Sequence, residues 1–138
     1  MSSVRRSARS VCPLSVQAFR IAFRDRAAAF GRLLLVWNGG DPDGVSELIT
    51  TDYRGHMLHL ANGERSGLQY PQWIREYRQA LPGVRFDVAD QATSGDRLWT
   101  RLVATMADGA SVAHGMNVSR FEGDRIAEEW AVWSDWQG

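Results

Sequence analysis

The stretch Phe121-Glu122-Gly123-Asp124-Arg125-Ile126-Ala127-Glu128-Glu129-Trp130, with Asp135 shortly after it, decides the fold. It reads as the end of one strand, a tight turn at Gly123-Asp124, and a second strand carrying two acids, a tryptophan and a late aspartate. Carboxylates among tryptophans are costly to bury. They therefore stand at a surface or line a cavity. Working back along the chain, the same punctuation recurs at Asp108-Gly109 and Gly95-Asp96. The segments between are long and strand-like, and Val84, Phe86 and Val88 alternate in the first of them. The spacing predicts an antiparallel meander over Val84–Ala92, Arg97–Ala107, Ser111–Phe121 and Arg125–Trp136.

The N-terminal half has a different period. Val16, Phe19, Phe23, Ala27, Phe30, Leu34 and Trp37 recur at three- and four-residue spacing, one apolar stripe of a long helix. Pro13 and Ser15 punctuate its start, and Asn38-Gly39-Gly40 ends it. Asp41-Pro42-Asp43-Gly44 opens a short second helix over roughly Pro42–Ile49, with proline in its first turn. Thr51–Leu60 reads as strand-like, and Asn62-Gly63 as a turn. A third helix starts near Tyr70-Pro71, carries Trp73, Ile74, Tyr77 and Leu81 on one side, and stops at Pro82-Gly83. The order implies an α+β fold: a curled antiparallel sheet covered on one face by about three helices, forming a cone with an open mouth. Such mouths are default ligand sites. One domain is expected over 15–138, with 1–14 a flexible leader. That leader holds Arg5, Arg6, Arg9 and several serines and no acid, a composition similar to an organellar transit sequence.

Composition narrows the chemistry. The 138 residues carry sixteen basic and sixteen acidic groups, so no net field draws nucleic acid or anionic lipid. Every basic residue is arginine, which excludes lysine Schiff-base chemistry. Cys12 is the one cysteine and allows neither an internal disulfide nor a cysteine metal cluster. No apolar run approaches the length of a membrane span. There is no P-loop, dinucleotide fingerprint, serine nucleophile elbow or zinc motif. The expectations are a cytoplasmic location, no metal or other cofactor, and no nucleic-acid or membrane partner.

Several short motifs, in order, resemble one family. They are Trp37-Asn38-Gly39-Gly40-Asp41 at the end of the first helix, then Asp52-Tyr53-Arg54-Gly55-His56, Trp73, Gly95-Asp96-Arg97, and the final Phe121 through Asp135. Together they resemble the SnoaL-like proteins of the cone-shaped nuclear transport factor 2 and ketosteroid isomerase superfamily, over residues 16–136. The resemblance implies a cofactor-free enzyme that closes or isomerises a polycyclic, polyketide-like carbonyl compound through an enolate. An aspartate would act as general acid/base, matched here by Asp135. It also implies a homodimer formed through the outer face of the sheet. The same fold hosts water-activating epoxide hydrolases, hydroxylation enzymes and non-catalytic binders, so these remain alternatives. Family members often carry histidine where Glu129 stands, and a loop with a "T-G-x" pattern where Asp108-Gly109 stands.

Strand parity sorts the candidates. Glu129, Ala131, Trp133 and Asp135 share one face, with Glu128, Trp130 and Val132 on the other. On the first face, Asp135 is the expected proton carrier. Glu129 is a second acid that raises the proton affinity of Asp135 by like-charge repulsion, or else an ion-pair partner of Arg101. His56, or His114 beside Met116 in a central strand, would stabilise the enolate oxygen. Asn117 has the opposite parity to His114. Tyr53 lies in the strand motif. Trp73 and Tyr77, with Trp99, Trp130 and Trp133, would form a flat slot for an apolar or aromatic substrate.

Overall fold

The computed structural model describes residues 23–138. The expected leader, Cys12, and the early stripe positions Val16 and Phe19 lie outside them. Helix α1 (residues 23–37) buries Ala29, Phe30 and Leu33 against the sheet. It ends where Gly39 takes a positive φ of 126°, a conformation open to glycine. Asn38 then clips this end to the sheet: its amide donates to the Phe86 carbonyl and accepts from the Phe86 N–H, both at 2.8 Å. The second helix is a 3-10 helix, Pro42–Glu47, capped by the Asp41 carboxylate on the Asp43 N–H. Helix α2, Tyr70–Ala80, follows a short 3-10 turn at Gly67–Gln69.

Six strands form one sheet: β1 Ile49–Met57, β2 Glu64–Ser66, β3 Arg85–Ser94, β4 Arg97–Thr105, β5 Val112–Glu122 and β6 Arg125–Trp133. Their order is β2-β1-β6-β5-β4-β3. β3 to β6 are the expected meander, turned at Gly95, Gly109 and Gly123, all with positive φ. β1 pairs with β6 in parallel, so the sheet is mixed at that one seam. β2 is a three-residue edge strand that the sequence pattern did not flag. The α+β cone is the observed architecture, with helices on one face of a curled, unclosed sheet.

Alternation fixes which side chains meet the helices. Leu98, Thr100, Leu102 and Ala104 point inward from β4, as do Ala113, Asn117, Ser119 and Phe121 from β5. In β6 two successive residues, Ile126 and Ala127, are both buried. The register with β5 shifts there, a bulge that inserts one residue and resets the parity. After it, Glu129, Ala131 and Trp133 face inward. Ile49, Tyr53, Ile74, Leu98 and Ile126 pack with Phe30 and Leu33 as the main core. No helix among the described residues is long and apolar enough to cross a membrane.

Candidate active site

Between the helices and the inner face of the sheet lies a cavity of about 510 Å³. Its walls are apolar and aromatic. Trp37 is the hub: Tyr70, Trp73, Tyr77 and Phe86 pack edge-on around it, with ring centroids 5.2 to 6.1 Å away. Trp133 closes the opposite wall against Phe86 at 5.6 Å. Trp133 lies across Gly115 of β5, where an added Cβ would stand 2.6 Å from the indole ring.

The closed end is polar. Glu129 is 6% exposed and takes three hydrogen bonds from neutral donors. The Tyr53 hydroxyl donates to Oε1 at 2.9 Å, while the Asn117 amide and the Ser119 hydroxyl donate to Oε2, each at 2.9 Å. Gly55 makes the first bond possible, since a Cβ there would sit 2.8 Å from the Tyr53 hydroxyl. Tyr70 stacks obliquely on Tyr53 and accepts from the Trp37 indole N–H at 3.1 Å. No arginine among the described residues reaches Glu129. Burial pushes its pKa up, and the bonds from Asn117, Tyr53 and Ser119 oppose that rise. Tyr53 and Tyr70 are held well above the ordinary phenol range, by burial first and by the Glu129 charge second. Burial also raises Tyr77.

The mouth is formed by His59, Leu60, Arg65, Glu76, Asp135 and Trp136. Arg65 sits over the Trp73 ring at 5.7 Å. Asp135 is exposed there, after β6 has ended. The chain still runs beside β5, bonding Ser134 N–H to the His114 carbonyl and bridging Gln137 to Val112. From Glu129 to Trp133 alone is about 13 Å at a strand rise of roughly 3.3 Å. Asp135 lies beyond, so the two carboxyls occupy opposite ends of the cavity. This separation does not suit Glu129 as an electrostatic tuner of Asp135.

Other expected site residues point away. His114, Met116, Trp99, Arg101 and Trp130 have the opposite parity and lie on the outer face of the sheet. Arg101 pairs with Asp90 at 3.1 Å, not with Glu129. His56 borders the cavity, but its ring is turned outward. Nε2 meets Glu128 Oε2 at 2.7 Å, and the ring stacks on Trp130. Tyr53, Trp73, Tyr77, Asn117, Glu129, Trp133 and Asp135 do line the cavity. Trp37, Tyr70 and Ser119 also belong to the site. In the sequence Trp37 reads as the last member of a helical stripe, and Tyr70 as a helix start. Ser119 carried no signal except its shared parity with Asn117. Among the described residues no three of His, Cys, Asp and Glu gather as a metal-ligand set.

A sequence model of the SnoaL-like domain matches residues 30–129, most of the chain. The chain belongs to the SnoaL-like domain family. Solved structures of similar shape include a candidate isomerase of the SnoaL-like family from Agrobacterium tumefaciens, at a TM-score of 0.70 and 21% identity over 81% of this chain and 99% of that one. IdmH from Streptomyces antibioticus, a candidate polyketide cyclase, matches at 0.68 and 24% over 79% and 91%. A nuclear transport factor 2-like protein of unknown function from Mesorhizobium loti matches at 0.65 and 27% over 81% and 93%. The first two identities are low and speak for the fold alone. No curated protein matches this SnoaL-like chain.

Proposed function

We propose that this SnoaL-like protein is a cofactor-free acid/base catalyst. It binds an uncharged, ring-containing carbonyl compound and moves a proton at carbon through an enolate, giving isomerisation or ring closure. The observation that carries this reading is Glu129: a carboxyl buried at the closed end of an apolar cavity, held by neutral donors and, among the described residues, by no cation. Three donors aimed at one carboxyl suit its ionised form, while burial raises its affinity for a proton. That combination makes a general base. Glu129 takes a proton from the carbon next to the carbonyl, the electron pair moves onto oxygen, and Glu129, whose proton exchanges with water entering the cavity, returns a proton to the same carbon, to a second carbon, or to the oxygen formed on ring closure. The α-carbon and the carbonyl oxygen are two bonds apart. Glu129 and Asp135 therefore cannot both act on one enolate, and Asp135 serves the solvent-facing end of the ligand. The aromatic walls orient the rings. The shared fold of a candidate polyketide cyclase and a candidate isomerase supports this class of reaction.

Exchange of α-protons tests it without knowledge of the natural substrate. 1-Tetralone and a panel of tricyclic and tetracyclic ketones are incubated in D2O and followed by proton NMR. The protein accelerates deuterium incorporation, and Glu129→Gln lowers the rate at least about 100-fold. No acceleration for ketones that demonstrably bind, or full activity in Glu129→Gln, sinks the proposal.

We also propose that two copies pair through the outer face of the sheet. Trp99, Val118 and Trp130 are neighbours across three strands there, beside Met116 and Val132. The salt bridges Arg101–Asp90 and Arg120–Glu128 neutralise two arginines of this face, and Arg97 lies over the Trp130 ring.

A further inference from the structure

Asn117 is 6% exposed, lines the cavity and uses its amide nitrogen twice. Nδ2 lies 2.9 Å from Ser119 Oγ and 2.9 Å from Glu129 Oε2. An amide nitrogen has two protons, so both are committed. Glu129 in its carboxylate form accepts only, which fixes the nitrogen toward it and the carbonyl oxygen away from it. Asn117 Oδ1 has no hydrogen-bond partner among the described residues, and it is not among their fully enclosed, unpartnered side-chain atoms. A carbonyl oxygen in a largely apolar chamber costs free energy until a donor reaches it.

We propose that Asn117 Oδ1 is a specificity element: it selects ligands that bring an O–H, a hydroxyl, phenol or enol, to the closed end of the cavity beside Glu129. The ligand class is then a hydroxylated or enolised polycyclic compound rather than a bare ketone or an ether. The placement of the O–H next to a proton carrier rests on the acid/base reading of Glu129; the donor preference itself does not. A site built around a hydrogen-bonded oxygen discriminates by leaving its own acceptor unpaired when the wrong ligand enters.

The test uses three bicyclic probes of similar shape: 2-naphthol, 2-methoxynaphthalene and naphthalene. Binding is read from tryptophan fluorescence, below the pH at which naphthol ionises. The protein is expected to bind 2-naphthol about tenfold tighter than either of the other two, the worth of one buried hydrogen bond. Asn117→Leu brings the three affinities within about twofold of one another. Glu129→Gln keeps the preference while losing α-proton exchange. Equal or tighter binding of the methoxy compound by the unaltered protein overturns the proposal, because it means the amide presents its nitrogen to the ligand. A preference lost in Glu129→Gln and kept in Asn117→Leu overturns it too, by making the carboxyl the reader. Should Asn117→Leu fail to fold, the ranking in the unaltered protein and in Glu129→Gln still decides. Absence of α-proton exchange in the unaltered protein, with the preference intact, strikes the acid/base reading alone.

Discussion

Burying the Glu129 carboxyl costs the fold stability that is recovered when the group takes a proton. Its folded pKa lies above the ordinary 4.5, chiefly through burial. In the window above 4.5 the folded state holds more protons than the unfolded one, so stability falls as pH rises through it. The slope from this one group is at most about 1.4 kcal/mol per pH unit inside that window and vanishes outside it. Glu129→Gln removes the titration. Denaturant unfolding of both proteins from pH 4 to 8 is therefore expected to show the glutamine variant gaining on the parent as pH rises. A difference that stays flat with pH would mean that the folded carboxyl titrates normally. Histidine roles were harder to read at this scale. His56 fits the strand motif, yet its partner is Glu128 of the final motif, so these two motif positions meet as an outward pair. His114 drew notice as a polar residue in a central strand. The residue that faces the cavity is Asn117, of opposite parity.

Strand β6 shows why parity counted from the acids succeeded where a count from the strand's start would not. Alternation begun at Ile126 places Glu128 inward. The bulge at Ile126-Ala127 shifts the count, and Glu129 faces inward instead. A bulge leaves no mark in composition, so its position was not legible. Strand β1 holds the complementary device, Gly55 opposite Glu129. Its lack of a side chain gives the Tyr53 hydroxyl its path to the carboxyl. Gly55→Ala is expected to push that hydroxyl aside and to destabilise the fold by about 1–3 kcal/mol, as overpacking does. Loss of a donor to the carboxylate raises the Glu129 pKa further. The pH profile of α-proton exchange, which rises as the base ionises, then moves to higher pH. A profile that keeps its midpoint in Gly55→Ala would show that Tyr53 does not tune the carboxyl.

At the scale of the molecule, turn chemistry made the meander legible, because Gly95, Gly109 and Gly123 mark hairpins that no other residue type makes so easily. The parallel seam between β1 and β6 was not, since long-range pairing has no local signature. The same gap hid which tryptophans share a wall. Trp99 and Trp130 belong to the outer face, and there they have a consequence for assembly. Trp99, Met116 and Val132 are 44%, 46% and 42% exposed, and no element among the described residues covers them. Contiguous exposed apolar surface of this kind is the usual mark of a contact site. A two-fold pairing uses one patch twice, so the apolar centre of one copy meets that of the other. Sedimentation velocity at micromolar concentration is expected to give a dimer. Met116→Glu places two like charges at the centre of the contact and gives a monomer. Because Met116 is exposed within one copy, the fold stability of that monomer should change by about 0.5 kcal/mol or less beyond the lost association. A parent protein that sediments as a monomer at these concentrations refutes the pairing, as does a Met116→Glu variant that remains dimeric.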